Sequence, residues 1–221
     1  MALELDADRR LALTYVPAKS RAAVEALWRL DLAMASVLST GREPLISQIR
    51  LTWWREALER LDRERAPAEP VLQALETHVL SRGLSGAELA EMEAGWSVLL
   101  SPEQLTAADL DLYAARRGGL LFSYTARVLG GESAAVEPGG KAWSLIDLAR
   151  NSANQADAES ARASAARSFG TNSGRWPSSL RPLGMLAMLA RRDFEAVEKD
   201  WEEHGSPRRM LRMMRHRLTG K

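Results

Sequence analysis

Residues 21–40, RAAVEALWRLDLAMASVLST, carry an apolar stripe at helical spacing: Val24, Leu27, Trp28, Met34, Ala35 and Leu38, with Asp31 set inside it. From Leu30 to Leu38 only Asp31 and Ser36 are polar, and a helix apolar on every face belongs at the centre of a molecule. Gly41 and Pro44 close this segment and open the next, because proline suits a first helical turn. The second segment, about 44–65, places Ile46, Ile49, Trp53, Ala57 and Leu61 on one face, expected to point inward, with Trp54 about a hundred degrees round. These two helices are expected to form the inner wall.

The rest of the chain continues in the helical period. A short helix is expected over 4–14, another from Val71 to Leu80 stopped near Gly83, and another from Ser85 with Leu89, Met92 and Trp96 inward. Thr106 and Asp109 have capping-box spacing ahead of a long helix ending at Gly130-Gly131. Gly118-Gly119 interrupts that helix, which predicts a kink or a close helix approach. Helical sequence runs from Pro138 to about Arg167, residues 168–179 read as a mobile loop, and Arg181–Ala190 reads as helix. No strand-period segment is present, so the fold class predicted is all-α, in a single domain over 1–221.

Composition narrows the chemistry. The chain has 221 residues, no cysteine, three histidines and a net charge of +1. The cysteine count excludes disulfides, thiolate metal sites and cysteine nucleophiles. His78, His204 and His216 are too scattered in sequence for a histidine metal cluster, and the charge marks no nucleic-acid binder. The N-terminus, MALELDADRR, does not read as a secretory signal, and no apolar run reaches membrane-spanning length. The location expected is cytoplasmic, at most peripheral to the inner membrane. The segment at about 206–219 is a basic amphipathic helix, with Met210, Leu211, Met214 and Leu218 on an apolar edge among arginines and no acid. It is the expected contact for a protein partner or a membrane surface.

Five segments in order resemble the squalene/phytoene synthase family, the head-to-head prenyl transferases of the isoprenoid-synthase fold, and in particular its short bacterial members. They are RAAVEALWRLD, IRLTWWREAL, LTAADLDLYAARRGGLLFSYTARVLG, KAWSLIDLAR and SLRPLGMLAMLARRD. The resemblance implies an isoprenoid-synthase-type helical bundle whose active members hold magnesium between two D-x-x-x-D motifs. Spacing of four puts both carboxylates of a motif on one helix face, where they bridge hard cations to diphosphate.

Laid onto this sequence, the motif positions fall at Ala35 and Ser39, and at Asn151 and Gln155; none is a carboxylate. Asp31 and Asp147 each stand one turn earlier and point near the same cavity. Each is expected to be held by an arginine, with Arg50, Arg55, Arg116, Arg117 and Arg150 as candidates, because buried charge is seldom unpaired. Phe122 stands where the family keeps a small residue lining the chain-binding tunnel, and its ring would narrow that tunnel. The positions expected to line a substrate site are Asp31, Arg116, Phe122, Asp147 and Arg150, with no catalytic residue, no metal and no cofactor.

The resemblance extends to a degenerate branch of the family whose mitochondrial member is an assembly factor for respiratory complex I. The function expected is therefore a non-catalytic assembly or accessory factor binding a protein partner or an isoprenoid lipid. The alternative is a magnesium-dependent prenyl transferase condensing two isoprenoid diphosphates, with metal bound by Asp31, Asp147, Asn151 and Gln155.

Overall fold

The computed structural model describes residues 4–41, 43–169, 174–196 and 201–221, and all regular structure in them is helical. α1 (Ala7–Thr14) is capped by Asp6, whose carboxylate accepts the Arg9 N–H at 2.9 Å. α2 (Ala18–Thr40) is the central helix, packed against α1, α3 (Pro44–Arg60), α4 (Pro70–His78) and α8 (Leu120–Leu129). Val24, Leu27, Leu30, Met34 and Val37 are wholly buried on it, each side chain contributing about 1.5–3 kcal/mol by leaving water. The expectation of a buried helix at 21–40 holds.

α3 departs from its expected orientation. Ser47, Leu51, Trp54, Ala57 and Leu58 face the core, while Ile46, Ile49 and Trp53 lie 49%, 61% and 41% exposed. The turn from α2 explains the rotation. Ser47 Oγ donates to the Val37 carbonyl at 3.3 Å, and a Cβ on Gly41 would fall 2.0 Å from that same Oγ. The Ser47 side is thereby clamped under the end of α2, and the Leu51–Trp54–Leu58 stripe turns inward with it. Of the residues expected inside, Ala57 and Leu61 are buried.

Short helices α5 (Gly86–Ala90) and α6 (Glu93–Ser97) brace α3. α7 (Ala107–Tyr113) starts with the expected capping box, Thr106 and Asp109 each accepting the other's backbone N–H. It runs into a π-helical stretch, Ala114–Gly119, before α8 begins. The extra residue in a π turn shifts the facing of the side chains beyond it, and such turns recur at functional sites.

α9 (Val136–Asn151) and α10 (Gln155–Phe169) divide the helical sequence expected from Pro138 to about Arg167. Asn154 breaks it: its side chain accepts the Ala156 N–H at 2.9 Å, while Ser152 Oγ accepts that of Asn154 at 3.2 Å. α11 (Arg181–Glu195) lies on α9, and α12 (Pro207–Thr219) lies on α11 and α1. The loop expected at 168–179 is tied down where it is described. Trp176 is buried, its N–H donates to the Gly220 carbonyl at 3.0 Å, and Arg175 Nε donates to Thr219 at 2.6 Å. Residues 170–173 and Arg42 lie outside the described residues.

Candidate functional site

The two aspartates inside the apolar helices meet one cation. Arg117, carried inward by the π turn, donates from Nε to Asp31 Oδ1 at 2.8 Å and from Nη2 to Asp31 Oδ2 at 3.1 Å. Its Nη1 reaches Asp147 Oδ2 at 2.7 Å and also bonds the Tyr113 hydroxyl. Asp31 is wholly buried, Arg117 is 2% exposed, and the Asp147 side chain is 23% exposed. A second guanidinium, Arg9 on α1, sits 3.2 Å from Asp31 Oδ2 and 3.1 Å from Asp6.

Aromatic rings enclose the bridge. The Arg117 guanidinium carbon lies 4.2 Å from the Trp96 ring centre, 4.9 Å from Trp143 and 5.5 Å from Tyr113; Arg9 lies 4.8 Å from Trp143. A planar cation suits such faces, and the low dielectric around them strengthens its ion pairs. Burial pushes the Asp147 carboxyl up, but Arg117, then Arg9, outweigh it and hold it below the ordinary carboxylate value. Burial opposes the Arg117 charge, and Asp31 leads the groups that hold it well above its ordinary value. Tyr113 is pushed up by burial, so it stays a neutral hydroxyl.

Glycine makes the bridge possible. Gly118 lies against α9, where Gly140 and Ser144 leave no space for a side chain on it. The close helix approach expected at Gly118-Gly119 is therefore present at Gly118.

The remaining expected positions separate. Phe122 is wholly buried with its ring centre 5.6 Å from that of Trp143, filling the space beside the bridge. Arg116 turns outward to pair with Glu91, 42% exposed, and does not reach the site. Arg150 lies 3.5 Å from Asp193 and donates to the Glu202 carbonyl. Ala35 is half-buried and Ser39 is exposed, its hydroxyl on the Ser36 carbonyl. Asn151 donates its amide to Asp147 Oδ1 at 3.2 Å, whereas Gln155 opens α10 and bonds Glu159 at 2.7 Å. Asn151 and Gln155 thus do not share one helix, contrary to the spacing argument, because the Asn154 cap intervenes.

A second ion-pair cluster joins the ends of the chain. Arg209 on α12 donates from Nε to Asp8 at 2.9 Å and from Nη1 to both Asp193 oxygens at 2.6 and 2.9 Å. Asp8 also accepts the Gly205 N–H at 3.0 Å and lies 2.7 Å from His204 Nδ1. Burial raises the Asp8 carboxyl, but His204, Gly205 and Arg209 together bring it below its ordinary value. Burial works against the Arg209 charge too, and Asp193 and Asp8 more than offset it. Asp6, Asp8 and His204 place ligand-type atoms within 4.8 Å of one another, but the hydrogen bonds to Asp8 already occupy both of its oxygens. Between this cluster and Asp147 lies a cavity of about 30 Å³, enough for a water or two.

Arg9, Tyr113, Trp96, Trp143, Asp8, Asp193 and Arg209 escaped the sequence reading as site residues. Only the rule that buried charge finds a partner pointed their way, and it names no partner across 86 or 201 residues of chain.

Residues 4–173 match the family model for squalene/phytoene synthase, and the chain belongs to that family. Its all-α architecture is that of the isoprenoid-synthase fold. No curated protein and no solved structure matches the chain. The residues present do not fit the magnesium that the family implies. A dication wants about six oxygen ligands near 2.0–2.1 Å, and the oxygens of Asp31 with Oδ2 of Asp147 are taken by a guanidinium that would repel it.

Proposed function

We propose that the chain is a non-catalytic squalene/phytoene synthase-like protein, an assembly or accessory factor that binds a protein partner or an isoprenoid lipid. The observation that carries this reading is Arg117 bridging Asp31 and Asp147. The neutral side chains at Ala35, Ser39, Asn151 and Gln155 point the same way, because diphosphate chemistry without clustered carboxylates lacks its cation clamp. Phe122 and Trp143 packed beside the bridge supply wall where an isoprenoid chain would need space.

Between the two ligand classes, a protein partner is the better supported. α3 presents Leu45, Ile46, Ile49 and Trp53 outward on one side of the molecule, between 41% and 67% exposed. Apolar side chains grouped in this way are what docking surfaces offer. No described helix is long and apolar enough to cross a membrane. The location proposed with this function is cytoplasmic, at the periphery of the inner membrane.

The test is calorimetric titration with a non-hydrolysable farnesyl diphosphate analogue, with and without magnesium, alongside turnover of farnesyl and geranylgeranyl diphosphates. No magnesium-dependent binding and no diphosphate release are expected. Magnesium-dependent release abolished by Asp31→Asn would overturn the reading in favour of the prenyl transferase.

A further inference from the structure

α12 is polarised the wrong way round for an ordinary surface helix. Its inner face buries Arg209, Met213 and His216, while Met210, Leu211, Met214 and Leu218 stand outside at 37%, 66%, 42% and 77% exposure. A helix packed on a globular body normally does the opposite. The orientation is imposed by the Arg209 ion pairs with Asp8 and Asp193, reinforced by Arg212 on Glu202 at 2.5 Å. Those contacts turn the apolar residues toward solvent and keep them there.

The outward face is a ridge with charged margins. Leu211, Met214 and Leu218 align at i, i+3 and i+7. Arg208 and Arg215, seven apart, run along one side, and Lys221 follows the helix beside the groove lined by Trp176 and His216. All three are exposed, and none makes an ion pair among the described residues. Residues 207–221 contain no acid.

We propose that α12 is an in-plane membrane anchor. It seats Leu211, Met214 and Leu218 at the acyl boundary of an anionic bilayer and sets Arg208 and Arg215 against lipid phosphates. Both halves of the surface are satisfied at once by such a bilayer, because anionic headgroups surround an apolar interior. An acidic protein would need a groove shaped to the ridge as well as its charges. The attachment is peripheral, and it is independent of what the Asp31–Arg117–Asp147 bridge does.

The full chain is mixed with vesicles of phosphatidylcholine and phosphatidylglycerol, or of phosphatidylcholine alone, and sedimented at low and high salt. Binding is expected to the anionic vesicles, weakening as salt rises. Each cation near an anionic surface is worth roughly fivefold in affinity, so Arg208→Gln with Arg215→Gln should lose roughly twenty-five-fold. Leu211→Glu with Leu218→Glu should also release the protein. Both double variants change exposed side chains, and unchanged circular dichroism melts show that they fold. No binding to anionic vesicles, or equal binding by either folded variant, overturns the proposal. So does binding to soluble polyglutamate that survives Leu211→Glu with Leu218→Glu, which assigns the face to an acidic protein.

Discussion

Gly118 and Gly140 touch backbone to backbone: a Cβ on Gly118 would lie 2.0 Å from the Gly140 oxygen, and one on Gly140 would lie 2.1 Å from the Gly118 oxygen. This contact sets how near the π turn comes to α9, and therefore whether Arg117 reaches Asp147. Gly118→Ala should cost about 1–3 kcal/mol or more by overpacking, read by urea denaturation. Gly119→Ala is its control. A Cβ there meets nothing closer than 3.4 Å, so the change should stay within about 0.5 kcal/mol. Equal losses from the two would remove the close approach as the cause.

Arg117→Leu should destabilise the fold by about 3–5 kcal/mol, because Asp31 is left buried with only Arg9 beside it. Adding Asp31→Asn should recover part of that loss, with a coupling of about 0.5–3 kcal/mol in a double-mutant cycle. Additive losses would show that the pair does not act as a unit.

Stability should fall in two stages on acidification. Burial holds His216 below its ordinary value of 6.5, with the Lys221 backbone opposing and Arg181 adding to it. The unfolded chain therefore takes up a proton at about pH 6.5 that the folded chain refuses, and stability declines below that pH. Asp147 and Asp8 are depressed below 3.8, so their contribution is complete above that value and is lost as pH falls through their folded-state values. Thermal melts across pH check both stages. His216→Gln should remove the first and leave the second.

Trp54→Ala should cost about 3–5 kcal/mol and Trp53→Ala about 0.5 kcal/mol or less, since Trp54 is 8% exposed and Trp53 is 41%. The reverse order in chemical denaturation would mean that α3 is rotated.

That pair also shows where sequence reading reaches its limit. α3 carries two apolar stripes, Ile46–Ile49–Trp53 and Leu51–Trp54–Leu58, and periodicity alone does not choose between them. The choice is made by the Gly41–Ser47 clamp, a contact between elements. α2 was legible because it is apolar all round from Leu30 to Leu38, which leaves no face to choose there. Asp31 and Asp147 were legible as charges needing an arginine, and Arg117 was among five candidates. Selecting it requires the π turn, which moves Arg117 in and leaves Arg116 with Glu91. The Asp8–Arg209–Asp193 cluster left no local trace, because its members lie on three helices from opposite ends of the chain.

The guanidinium between Asp31 and Asp147 acts as a keystone of the scaffold. Exchanging Arg117 for an uncharged residue leaves the Asp31 carboxylate in the middle of the protein with Arg9 as its remaining partner. A domain with about 5–15 kcal/mol in hand would surrender much of it at that step. Substitution of this one side chain therefore reaches three helical elements at once, whereas changes on the exposed faces of the outer helices meet no such barrier.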